Sequence, residues 1–189
     1  MAPGAPGALW QHDRVRSTRL VTLDDADEMT RLVRANREFL APWEPLRDDD
    51  WFTVERQRTG IRLLLDEHAR GTCLPHVILD EAGHVVGRIT LSGIVRGPFQ
   101  SGNLGYFVSA DANGRGRATA AVGRMVRLAF DELGLHRLQA GTLLHNVRSQ
   151  RVLRRNGFVP FGVAPAYLRI AGEWQDHVLF QRIDEDPSE

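Results

Sequence analysis

The segment Asp111-Ala112-Asn113-Gly114-Arg115-Gly116-Arg117-Ala118-Thr119 constrains this chain more than any other. It joins an apolar stretch, Leu104–Val108, to a run in which Ala118, Val122, Met125, Ala129 and Leu133 repeat at helical spacing. The first N–H groups of a helix are unpaired, and the helix dipole adds positive potential there. Small residues let an anion come close to those groups. A pyrophosphate suits such a site. A dinucleotide-binding turn is a second reading, but it requires Gly-x-Gly-x-x-Gly opening a βαβ unit, and Thr119 stands where the third glycine belongs. A turn that merely joins strand to helix is the third.

Composition narrows the chemistry. All 24 basic residues are Arg, balanced by 24 acidic ones. Without Lys there is no P-loop and no Schiff base, so phosphate must be met by backbone amides and Arg. A zero net charge argues against nucleic acid or membrane as a partner recruited by charge alone. The single cysteine, Cys73, excludes an internal disulfide and a CxxC metal site, and points to the reducing cytoplasm. The seven His show no ligand spacing, so no metal is expected. Nothing approaches the ~20 apolar residues of a membrane span. A length of 189 predicts one domain, over about 13–184, with a disordered tail over 1–12 and a short tail over 185–189.

Patterning predicts the order β-α-α-β-β-β-α-β-α-β-β. Strands are expected at Arg19–Leu23, Pro75–Leu79, His84–Leu91, Leu104–Val108, Arg137–Leu143, Phe158–Val163 and Trp174–Ile183. Helices are expected from Asp24 to Glu38, Thr53 to Ala69, Arg115 to Leu133 and Asn146 to Asn156. Pro42 and Pro45 break the chain between the first two helices. The class is α+β, a mixed sheet of about seven strands with about four helices on its faces.

Asn113–Ala118 resembles the pyrophosphate loop of the GCN5-related N-acetyltransferases, Gln/Arg-x-x-Gly-x-Gly/Ala, with Gly116 and Ala118 matching and Asn113 departing at the first position. Asn36-Arg37-Glu38-Phe39-Leu40-Ala41-Pro42-Trp43-Glu44-Pro45, Val95-Arg96-Gly97-Pro98-Phe99, Asn156-Gly157-Phe158, Tyr167-Leu168 and Gly172-Glu173-Trp174-Gln175-Asp176-His177-Val178 resemble the ribosomal-protein-alanine N-acetyltransferases of the RimJ type. The resemblance implies that family's fold, with a mostly antiparallel central sheet. It also implies acetyl transfer from acetyl-CoA to an α-amine, the N-terminal Ala or Ser of a ribosomal protein, by direct attack of the neutral amine. A monomer or homodimer is expected.

By the same resemblance, the backbone of Phe107 and Val108 pairs with pantetheine and supplies an oxyanion donor. The amides of Arg115, Gly116, Arg117, Ala118 and Thr119 hold the pyrophosphate, with Arg115 or Arg117 near the other phosphate. Asn146 meets the pantetheine arm. No Tyr follows Asn146 in its helix, so Ser149 is the candidate acid for the thiolate; a plain first-turn role suits it equally. The acidic residue that relatives carry before Tyr167 is Ala166 here. Glu44 is the substitute for binding the ammonium or accepting its proton, with Trp43 and Tyr167 lining the acceptor side in an acidic groove. Asp176 and Glu173 are weaker candidates, and Trp51 and Trp174 can pack or line a groove. An α-amine, with a pKa near ~7.7–8.0, costs roughly 1 kcal/mol to deprotonate at pH 7, against about 4.6 for Lys, so a modest base suffices. Two alternatives stand: a small-molecule amine as acceptor, as in antibiotic acetylation, or a non-catalytic module that binds ribosomal protein or RNA.

Overall fold

A computed structural model describes residues 17–185. The expected tail over 1–12 and residues 186–189 lie outside them. Seven strands form one sheet: β1 (Thr18–Leu20), β2 (Leu74–Leu79), β3 (Val85–Val95), β4 (Ser101–Val108), β5 (Arg137–Leu143), β6 (Val159–Ile170) and β7 (Glu173–Ile183). Their spatial order is β1-β2-β3-β4-β5-β7-β6. Every pairing is antiparallel except that of β4 with β5.

The helices are α1 (Ala26–Ala35), α2 (Arg37–Leu40), α3 (Val54–Ala69), α4 (Arg117–Arg127) and α5 (Val147–Arg155). Both faces of the sheet are covered. Met125 and Val122 of α4 and Leu153 of α5 pack with Ile89, Leu104, Leu138 and Phe180 on one face. Met29 of α1 and Ile61 of α3 pack with Val77 and Val85 on the other.

Several boundaries differ from expectation: β1 ends at Leu20, β3 runs on to Val95 and β4 begins at Ser101. Three further differences have a local reason. The first helix does not run unbroken to Glu38. It stops at Asn36, whose buried amide donates to the Leu32 carbonyl (2.9 Å) and accepts from Ala110 N–H (2.8 Å). The helix after the glycine loop begins at Arg117 rather than Arg115, because Gly116 holds the cap at φ 77. It closes in a π-helical turn, Leu128–Glu132. The sixth strand runs seven residues beyond Val163, to Ile170. It is a sheet edge, where Pro160 and Pro165 are tolerated, and most of its residues are exposed, so it shows no buried-face alternation.

The parallel pair positions the site. β4 and β5 are joined only across Ser101–Asn103 and Arg137–Gln139. Beyond that they part, and β4 continues to Val108 with its β5 side open.

Candidate active site

Two cavities meet in this opening. The first, of about 370 Å³, is lined by Phe107 and Val108 of β4, by Asn113 and Ala118 of the glycine loop and α4, and by Asn146 and Ser149 at the start of α5. The second, of about 470 Å³, is lined by Glu44, Arg47, Arg88, Gly141, Thr142 and His177. Trp43, Tyr106, Phe107, Asn146 and Ser149 border both.

The first cavity combines an open strand edge with an uncapped helix start. Gly114 and Gly116 both sit at φ 77, and a Cβ at either would meet open space. Their conformation therefore demands glycine, while the space beside them stays clear. No side chain caps α4, so its first-turn amides are left for a ligand. Asn113, at the position where the loop departs from pattern, ties the loop to the end of β4: its amide donates to the carbonyls of Val108 (3.1 Å) and Ser109 (3.0 Å). A long anionic thioester fits this combination of open strand edge and uncapped helix.

Arg117 does not extend toward a phosphate. Its guanidinium is mostly buried and pairs with Glu81 in the β2–β3 turn. The caps at α5 are also divided. Asn146 is the N-cap and its Oδ1 accepts from Ser149 N–H (3.1 Å), leaving Nδ2 to donate elsewhere. Ser149 is thus a first-turn residue, and its hydroxyl is free of capping. That hydroxyl lies 2.9 Å from the Tyr106 hydroxyl, which also reaches the Ser149 carbonyl at 3.2 Å. Burial pushes Tyr106 up to about 12, against the smaller opposing effect of Ser149. Tyr106 therefore stays protonated; its one proton serves the Ser149 carbonyl or Ser149 Oγ, and when it turns to Oγ the serine proton is free to point into the cleft.

The second cavity is assembled from distant segments. The Ala41–Pro45 loop docks on the β6–β7 turn, where Ala171 N–H donates to the Glu44 carbonyl (3.0 Å). Gly172 makes this possible: its φ is +87, and a Cβ there would lie 3.0 Å from Leu46. Two segments of the RimJ-like pattern, far apart in the chain, thereby touch. The Glu44 carboxylate faces Arg88 (3.4 Å) and Arg47 (3.7 Å). Arg47 stacks on Trp51 at 3.9 Å, with Arg56 and Arg88 near the same ring. Burial holds the Arg47 guanidinium below its ordinary range, opposed by Glu44 and reinforced by Arg88 and Arg56.

This corrects the expectation of an acidic groove. Glu44 is there, but two arginines line the same wall.

Trp43 borders both cavities and stacks near His145 (5.4 Å), while Trp174 is exposed away from them. Tyr167 packs on His177 at 5.5 Å. Ala166 sits at φ 46 in a strand irregularity, its N–H bound by Asp176 Oδ1 (2.8 Å), which gives that carboxylate a structural task. Cys73 is buried, and burial, with Glu67 adding to it, pushes its thiol up to about 11, which fits a small core residue. Among the described residues no group of three or more His, Cys, Asp or Glu is placed to hold a metal, and no helix is long and apolar enough to cross a membrane.

Sequence reasoning missed Tyr106 and His177. Tyr106 reads only as a β-former within a strand, and His177 has no spacing signal; both gain meaning from their neighbours in space.

Comparison with known proteins places the chain in a family. A family model described as an acetyltransferase (GNAT) domain matches residues 18–159. A probable N-acetyltransferase of Bacillus subtilis, YjcK, is 35% identical over 89% of this chain and 93% of its own. The [ribosomal protein uS5]-alanine N-acetyltransferase of Escherichia coli is 33% identical over 85% of this chain and 84% of its own. The solved structure of Mycobacterium smegmatis RimJ in complex with CoA-disulfide superposes with a TM-score of 0.85, at 33% identity over 89% of this chain and 81% of that one.

Proposed function

Because this chain belongs to the GNAT acetyltransferase family and is an N-acetyltransferase, we propose that it transfers acetyl from acetyl-CoA to a protein α-amine, the N-terminal Ala or Ser of a ribosomal protein. One observation carries the reading: the Ser149–Tyr106 pair stands where the open β4 edge meets a second, side-chain-lined cavity.

In this reading the amides of Arg115 to Thr119 receive the pyrophosphate, and the backbone of Phe107 and Val108 receives the pantetheine as an added strand. Asn146 Nδ2 donates to the pantetheine arm. Ser149 gives its proton to the departing sulfur, and Tyr106 steadies the serine oxygen as it does so. Glu44 holds the acceptor ammonium at the cavity wall, with Trp43 and Tyr167 along the incoming chain. The relatives named for ribosomal-protein alanine support the acceptor class.

The test is acetylation, read by mass shift, of short peptides starting with Ala or Ser beside a panel of small-molecule amines. Turnover of the peptides is expected. Turnover confined to the small amines would replace this reading with the small-molecule one.

A further inference from the structure

Resting on that acetyl-transfer reading, we infer that His177 is the catalytic base that takes the proton from the acceptor ammonium. Ala166, where the sequence resemblance implies an acid, carries no ionisable group. Five ionisable side chains line the acceptor cavity: Glu44, Arg47, Arg88, Tyr106 and His177. The arginines have no free lone pair to offer. Tyr106 keeps its proton to about 12. Glu44 has one oxygen on Arg88 and the other on Arg47.

His177 differs from all of these. It is 4% exposed, and its Nδ1 lies 3.0 Å from the Gln175 carbonyl. A carbonyl only accepts, so Nδ1 carries the hydrogen and Nε2 of the neutral ring carries the lone pair. Nε2 has no hydrogen-bond partner among the described residues. Register places His177 beside Leu143 of β5, on the stretch that has parted from β4. Tyr167 packs against the ring from β6, and a Cβ on Gly141 would lie 3.6 Å from both rings. Gly141 and His177 both line the cavity, and a Cβ on Gly141 would be in ordinary contact with the ring at Cδ2. Glu44 and Arg47 from the loop, Arg88 from β3 and Tyr106 from β4 are the charged and titratable groups facing it across that space.

The protons balance through the cycle. Nε2 takes one proton from the ammonium, directly or through one water. The freed nitrogen lone pair forms the C–N bond, and the C–S bond breaks. Ser149 protonates the sulfur, and the second nitrogen proton replaces the one Ser149 gave. The proton on His177 returns to solvent after product leaves.

The experiment compares wild type and His177→Gln with saturating acetyl-CoA and an Ala-starting peptide, at about pH 6.5 and about pH 9. A lost base matters most where the amine is protonated. The kcat ratio of wild type to variant should be about a hundredfold at the lower pH and shrink to within about tenfold at the higher, with the variant's profile rising in the amine's own range near ~7.7–8.0. The acetyl-CoA Kd should be retained, which confirms the fold. A ratio that stays within twofold at both pH values overturns the inference and leaves acetyl transfer standing; no transfer by wild type overturns the acceptor reading beneath it. If the glutamine variant loses acetyl-CoA binding, His177→Ala with added imidazole takes its place. Recovery of turnover supports the base, and the absence of recovery in a variant that binds acetyl-CoA refutes it.

Discussion

The two halves of the cleft are made of different material. In the proposed reading the acetyl-donor half relies on backbone: an open strand edge, two glycines at positive φ and an uncapped helix start. The acceptor half relies on side chains brought from four places, namely Trp43 to Arg47, Arg88, Tyr167 and His177. A backbone site recognises what every acetyl-CoA presents. A side-chain site chooses the amine. Damage in the first half should therefore raise the acetyl-CoA requirement, and damage in the second should change turnover or the acceptor requirement.

The largest expected effect falls at the junction. Ser149→Ala should lower kcat by about 10² to 10³, the range of a lost general acid, with acetyl-CoA affinity little changed. Isothermal titration beside steady-state kinetics checks both, and unchanged turnover would remove Ser149 from the mechanism. Next, Gly116→Val forces a β-branched residue into φ 77 and should weaken acetyl-CoA binding by about tenfold or more, corresponding to at least ~1.4 kcal/mol, while the peptide KM holds. An equal rise in peptide KM would break the division between the halves. Tyr106→Phe keeps the ring and removes the two hydroxyl contacts with Ser149; kcat should fall about tenfold, less than in Ser149→Ala. Glu44→Gln should raise the acceptor KM by roughly three- to tenfold with a smaller change in kcat, since the lost interaction is an ammonium contact at a half-buried carboxylate.

The smallest effect at neutral pH belongs to the scaffold. His76 is buried on β2 with its ring 3.0 Å from the Thr18 hydroxyl. Burial, then Arg124 and His68, holds it down to about 4. The unfolded chain binds this proton near ~6.5, so it takes up more protons than the folded one between the two values. Stability should therefore be full above about 6.5 and fall as pH drops toward 4, which Tm measured across that range will show. A flat Tm over that window would contradict it. Activity profiles meant to reveal His177 accordingly belong at pH 6.5 and above.

Much of the donor half was legible in the sequence, because it is local. Small residues at Gly114, Gly116 and Ala118, an amphipathic run behind them and Asn146 ahead of a helix all speak within a few residues. The Arg117 side chain was not, since its partner Glu81 lies in a turn 36 residues away. The acceptor half was only partly legible. Glu44 and Trp43 stood out in their motif, but the groove is neutralised by Arg88 from β3 and by Arg47 from the loop just after that motif. Asn36 reads in the sequence as one more helical residue, and only the fold brings Ala110 N–H to its amide oxygen. β6 escaped beyond Val163 because an exposed edge strand needs no alternation and tolerates proline.

The central claim is that this acetyltransferase serves an α-amine. It is tested most directly with one peptide carrying both a free N-terminal Ala and an internal Lys, incubated at neutral pH with acetyl-CoA and sequenced by tandem mass spectrometry. The enzyme contains no Lys, so every ε-acetyl group detected belongs to the peptide. Acetyl on the α-amine, with the Lys left free, is the predicted result. Acetyl on the Lys with a free N-terminus would contradict it.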